Sequence, residues 1–268
     1  MREASDALLR RAWASTARRV PALRAVETRR WVAHHRRSVA SALADRTLLD
    51  RFRRGEQLPE AYGADLDERV IEFPWALAQA PRGRALDAGS ALNHRHVLPH
   101  FRSSVTALHV VTLVPEEMSF PELDVSYIYA DLRDLPMKDG LYDTVISIST
   151  LEHVGMDNSG YGAPGAAAAD PAEATRVAVR ELRRVLAPAG RLLITVPYGA
   201  GENHGWLRQF TRPDLEDVVA TAQPAEFAIT VYRRAPSGWL LSDPVESSSA
   251  RYVGHKAGAV ACISLRVP

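Results

Sequence analysis

Hydrophobic positions change their period near residue 84. Before it, apolar residues recur at helical spacing, as at Leu8, Leu9, Ala12 and Trp13 and again at Leu43, Leu48 and Phe52, in a background of Ala, Leu and Arg. Those residue types favour helix, and Pro21 predicts a break between two helices. Residues 55–63, with Pro59 inside them, read as a linker, and residues 67–80 as a short helix ended by Pro81-Arg82-Gly83. After it, short apolar runs at 85–88, 105–113, 125–129, 144–148 and 192–196 predict five strands. An amphipathic helix at 173–186 separates the last two and stops at Pro188-Ala189-Gly190, and residues 227–232 and 260–267 predict two late strands. Strands alternating with helices imply an α/β fold, a doubly wound, seven-stranded, mostly parallel sheet with an N-terminal helical extension. The expected division is 1–80 as a helical cap and 81–268 as the α/β domain. The Gly/Ala/Pro run at 160–169 reads as a loop.

Composition narrows this picture. The hydrophobic fraction of 46% excludes global disorder, and no apolar run approaches the roughly 20 residues of a membrane span. A single cysteine, Cys262, excludes an internal disulfide and a multi-cysteine zinc site, so a reduced, cytoplasmic setting is the default. The net charge of +1 hides a polarity. Residues 1–54 hold fourteen arginines against five acids, a formal +9, and the rest of the chain carries −8.

In open parallel sheets, ligands bind beyond the carboxyl ends of the strands. Those ends read Asp87-Ala88-Gly89-Ser90-Ala91-Leu92-Asn93 after the first strand, Ala130-Asp131-Leu132 after the third, Ser149-Thr150-Leu151-Glu152-His153 after the fourth and Pro197-Tyr198-Gly199 after the fifth. Gly89 allows close backbone approach and positive φ, and the helix expected to follow would offer its N-terminus to an anion. Plainer readings exist beside these. Gly89 is also what a tight turn requires, Asp131 also suits a helix N-cap, and His153 also suits a packing role.

Together these segments resemble class I S-adenosylmethionine-dependent methyltransferases. Asp87-Ala88-Gly89 is similar to the start of the family's first motif, Asp131-Leu132 to its acid after strand three, and Tyr142 to Ile146, Glu152-His153 and Leu186 to Ile194 to its later segments. The resemblance covers residues 84–268. It implies a Rossmann-like methyltransferase fold, S-adenosyl-L-methionine as cofactor, and cofactor contacts from Asp87, Gly89, Ser90, Thr112, Asp131, Leu132 and Ser149. Asp131 would accept from the adenine amino group and Leu132 N–H would donate to a ring nitrogen. The sequence departs from the family in two places. Its turn has one glycine, and no acid lies between Asp87 and Glu116 to hold the ribose, which leaves Thr112, His109 or a folded-back Glu116 or Glu117.

If the acceptor is a hydroxyl, a histidine suits the role of general base. His153 is the first candidate, with Glu152 orienting it or binding substrate, and His204 is the next. The loop from Gly199 to Phe210 carries Glu202, His204, Trp206 and Arg208 and reads as an acceptor-binding lid. The expected reaction is O-methylation of a small molecule, sugar or glycan or natural-product precursor, and no metal is expected. The alternatives are a degenerate methyltransferase-like binding module and a nucleotide-cofactor oxidoreductase, the latter disfavoured by the missing Gly-x-Gly-x-x-Gly. The basic N-terminal segment reads as a solvated cap or a homodimer contact. Nucleic acid and membrane spans are not expected among its partners.

Overall fold

The computed structural model describes residues 21–162 and 167–268, with side chains in the first helix from residue 28 onward. The helix expected at Leu8 to Trp13 and the middle of the 160–169 loop lie outside the described residues. Pro21 opens the first described helix, α1 (Pro21–Ala44). The helix α2 (Arg46–Arg54) follows, because Asp45 accepts the N–H of Leu48 at its start and Gly55, at φ 63°, donates its N–H to the carbonyls of the last turn. The third helix, α3 (Arg69–Ala78), is apolar on most of its surface and carries Pro74.

Among the described residues, eight strands form one sheet in the order β3-β2-β1-β4-β5-β8-β6-β7. They are β1 (Arg84–Ala88), β2 (Ala107–Thr112), β3 (Val125–Tyr129), β4 (Tyr142–Ile148), β5 (Leu186–Pro197), β6 (Glu226–Ala235), β7 (Gly238–Ser242) and β8 (Ala259–Arg266). The first five are parallel, and β8, β6 and β7 continue the sheet with antiparallel pairings. The seven-strand expectation is therefore corrected to eight. The additional strand, β7, is short, lacks β-branched residues and shows no alternation, so its sequence carries little strand signal. It forms because the Trp239 side chain is fully buried and the Trp239 backbone N–H donates to the Tyr62 carbonyl at 2.8 Å. Gly238 sits at φ +121° with the Tyr62 carbonyl oxygen only 2.5 Å from where a Cβ would lie.

A second correction concerns the turn after β1. The helix expected to begin at that turn starts only at Leu98, as the five-residue α4 (Leu98–Arg102), so no helix N-terminus stands at Gly89. The turn is instead closed by its own side chains, as described below.

Helices cover both faces. On one, α5 (Pro171–Arg184) and α6 (Arg212–Ala222) pack together over Leu86, Val145, Ile194 and Ile263. On the other, α1 to α3 share one continuous cluster with the sheet through Phe52, Trp75, Ile146, Tyr232, Trp239 and Val260. The Phe52 ring stands edge-on to Tyr62 and to Tyr232, with centroids 6.2 and 5.4 Å away. No described helix is long and apolar enough to cross a membrane.

Parallel registry brings the strand ends to one edge. Ala88 pairs with Val111, Thr112 with Tyr129, and Ile148 with Thr195.

Truncating Phe52 to Ala removes a fully buried ring and is expected to cost about 3–5 kcal/mol. Urea unfolding followed by far-UV circular dichroism and by tryptophan fluorescence should show one shifted transition. Two separated transitions would mean that the helical segment unfolds independently of the sheet.

Candidate active site

A cavity of about 770 Å³ opens beyond the carboxyl ends of β1 to β4. Gly89, Ser90, Thr112, Asp131, Leu132, Ser149 and His153 all line it. Three other expected residues do not. Asp87 is fully buried beneath the turn, where Oδ2 accepts the N–H of Leu92 at 2.9 Å, and it shapes the turn from below. Burial pushes its carboxyl up to about 8. Glu152 is also buried, with Oε2 lacking any hydrogen-bond partner. His204 stands outside the lining, 3.7 Å from the Glu202 carboxylate and against the ring of Tyr252.

The turn after β1 owes its shape to Gly89, at φ +117°. A Cβ there would lie 2.1 Å from the Thr150 hydroxyl. Ser90 (φ 62°) and Ser149 (φ 42°) are both in the left-handed region without being glycine. Such strain costs on the order of 1–3 kcal/mol per residue and persists where the surroundings over-determine it. For Ser149 the surroundings are explicit. Its N–H donates to the Thr195 carbonyl at 3.0 Å, and its hydroxyl donates to Glu72 Oε1 at 2.6 Å.

Glu72 is the residue that sequence reading missed most completely. It is fully buried in α3. Its Oε1 accepts from Ser149 and, at 2.8 Å, from the Thr195 hydroxyl, while Oε2 pairs with Arg69 at 2.7 Å. Arg69 lines the cavity, so the helical segment contributes a cation to the same space as the strand ends. The available signal was an Arg–Glu pair at i, i+3 in an otherwise apolar helix.

Glu116 lines the cavity beside Thr112 and accepts from Asn93 Nδ2 at 2.7 Å, and Tyr127 donates its hydroxyl to the amide oxygen of Asn93 at 2.9 Å. Asp131 accepts the Arg133 N–H at 2.8 Å and a guanidinium N–H at 2.6 Å. Against the opposing effect of burial, these contacts hold its carboxyl below the usual range, so it is anionic and fixed.

His153 closes the 3₁₀ turn Leu151–His153. Its Nδ1 lies 2.8 Å from the Trp206 carbonyl. A carbonyl only accepts, so Nδ1 carries the proton and Nε2 keeps its lone pair, and Nε2 has no hydrogen-bond partner among the described residues. Burial, followed by the Arg69 charge, moves the His153 pKa below its ordinary value, which keeps the ring neutral. The orienting group is thus the Trp206 backbone, and Trp206 also stacks its ring on His153 at 5.3 Å. The rest of the late loop turns elsewhere. Arg208 pairs with Asp214, and Glu202 with Arg251 and the N–H of Tyr252.

Residues 86–194, from β1 into β5, match the family model described as "Methyltransferase domain". Over this segment the chain is similar to a methyltransferase domain. No curated protein matches the sequence. Among solved structures it is similar to a Thermotoga maritima protein described as a methyltransferase and possible histamine N-methyltransferase, at 16% identity over 74% of this chain and 89% of that one, with a TM-score of 0.49. It is also similar to the Burkholderia thailandensis 1,6-didemethyltoxoflavin N1-methyltransferase, at 16% identity over 69% of this chain and 71% of that one, TM-score 0.44. Neither likeness says what this chain methylates.

Glu72→Ala leaves two hydroxyls and Arg69 without their shared acceptor. The expected loss is about 3 kcal/mol in urea unfolding, with Glu72→Gln milder because one oxygen remains an acceptor. An unaltered midpoint for the alanine variant would mean that this network contributes nothing to stability.

Proposed function

We propose that this protein transfers the methyl group of S-adenosylmethionine to a hydroxyl of a small molecule, sugar or glycan or natural-product precursor, with His153 as general base. The observation that carries this reading is the fixed tautomer of His153, whose free Nε2 belongs to a neutral ring on the cavity wall. A hydroxyl is a weak nucleophile until its proton is taken, and a correctly placed base contributes roughly 10²–10⁴-fold.

The cavity fits the cofactor. Ser90 carries a buried hydroxyl with no hydrogen-bond partner on its wall, as a polar ligand requires. In this reading Gly89 and Ser90 receive the methionine part, Glu116 and Thr112 the ribose hydroxyls, and Asp131 with Leu132 the adenine. Arg69 offers the charge opposite to the cofactor's carboxylate. Residues 1–80 then act as a cap whose third helix completes the site of the 81–268 domain. When bound, the cofactor supplies an already activated methyl group on a sulfonium. The chain's share is alignment, exclusion of water and removal of one proton at Nε2.

Two measurements test this. Calorimetry with S-adenosylhomocysteine should show binding, and none at millimolar ligand would remove the methyltransferase reading. His153→Ala should lower kcat by roughly 10²–10⁴-fold while changing cofactor affinity little, and unchanged turnover would place the base elsewhere.

The pH profile follows from the same ring. A base works when unprotonated, and the lowered pKa extends that state to more acidic pH. The kcat/KM of the wild type should therefore stay level through neutrality and fall only below the ordinary histidine value of 6.5. An acid limb above that value would contradict the assignment.

A further inference from the structure

The sheet edge opposite the active-site cavity carries a basic cluster of its own. A second, smaller cavity of about 110 Å³ lies there, lined by Arg82, Arg191 and Arg266 together with Asp143, Thr144 and two alanines. Sheet registry brings two of the arginines together. Arg191 on β5 is paired directly with Arg266 on the antiparallel β8, so both side chains leave the same face of the sheet. Like charges directly opposite one another destabilise a sheet. The third arginine is fixed by Thr144, the partner of Arg191 on β4. The buried Thr144 hydroxyl accepts the Arg82 backbone N–H at 3.1 Å and donates to the Arg82 carbonyl at 3.0 Å.

Protein carboxylates leave most of this charge uncompensated. Among the described residues, neither Arg82 nor Arg191 has a carboxylate oxygen within 4.0 Å. Arg266 has one, from the largely exposed Glu226, at 3.8 Å. Asp143 shares the cavity wall, but its Oδ2 accepts the Arg84 backbone N–H at 2.8 Å and no described side-chain cation lies within 4.0 Å of it. Arg191 donates to the Gln79 carbonyl at 2.5 Å, which holds the guanidinium in place without neutralising it. Burial first, and then the charges of Arg82 and Arg266, lower its pKa, as crowding of like charges requires.

Three guanidinium groups around a space this small suit a tetrahedral oxyanion, because each presents a planar fork of N–H donors that matches phosphate geometry. We propose that this cavity is a second ligand site, at which Arg82, Arg191 and Arg266 bind a phosphate dianion, either the free ion or the phosphate group of a small ester. The anion would supply the negative charge that the paired β5 and β8 arginines lack. The site shares no lining residue with the active-site cavity, so it stands whether or not the methyltransferase reading holds.

The test is calorimetry on the full chain at about 0.15 M sodium chloride, with inorganic phosphate and ribose 5-phosphate as the two ligands. Saturable binding of one or both is expected, with a Kd of about 1 mM or below. The ratio of the two affinities tells whether the free ion or an ester is preferred. Arg82→Gln and Arg191→Gln should each weaken binding at least about fivefold. Arg82 is exposed and held through its backbone, so its variant keeps the fold, which an unchanged far-UV circular dichroism spectrum reports. No saturable binding of either ligand by the wild type overturns the proposal. So does a loss smaller than about fivefold in the folded Arg82→Gln variant, since the anion then sits elsewhere on the protein.

Discussion

A single buried carboxylate, that of Glu72, joins the parts of this molecule that make the site. It sits on a helix of the N-terminal segment and accepts hydroxyl protons from the ends of two adjacent parallel strands. Its second oxygen holds the arginine that enters the cavity. Inside a protein such a group is favourable only when all its partners are present, because the low dielectric that strengthens each bond also penalises each missing one. The helix, the tips of β4 and β5 and the strained backbone of Ser149 therefore depend on one another. A segment that looks like an appendage in sequence is chemically part of the sheet edge.

The convergence of Gly89, Ser90, Thr112, Asp131, Leu132, Ser149 and His153 was legible because it follows from topology alone. Parallel strands end on one edge, and residues just beyond consecutive strands must meet there. Arg69 and Glu72 were not legible, because their importance lies in contacts with residues 77 and 123 positions away from Glu72. Glu116 was legible only as one of several candidates, and the contact with Asn93 that fixes it spans 23 positions. The eighth strand escaped because its pairing is dictated by the burial of Trp239 rather than by residue preference. The loop after β5 misled in the opposite sense. Its polar residues suggested a lid, yet Arg208 and Glu202 are committed to neighbours, and the loop's contribution comes from Trp206.

The two ends of the cavity use charge differently. At the Asp131 end, a carboxylate is paired with its neighbour Arg133 and kept anionic, a rigid acceptor. At the His153 end, burial drives the carboxyls of Glu68 and Glu152 toward the neutral form. Carboxyl groups thus serve as a fixed acceptor in one place and as raised, buried acids in the other, and the difference lies in burial against direct hydrogen bonds from an arginine.

Trp206 acts on His153 twice, through its carbonyl and through its ring. The carbonyl belongs to the backbone and is present whatever side chain occupies the position. The tautomer of His153 is therefore insulated from substitution at residue 206, whereas the ring stacked against it is not. Substitution at this one position would change what packs against the imidazole while leaving its proton on the same nitrogen, so packing and tautomer are separately heritable within a single residue.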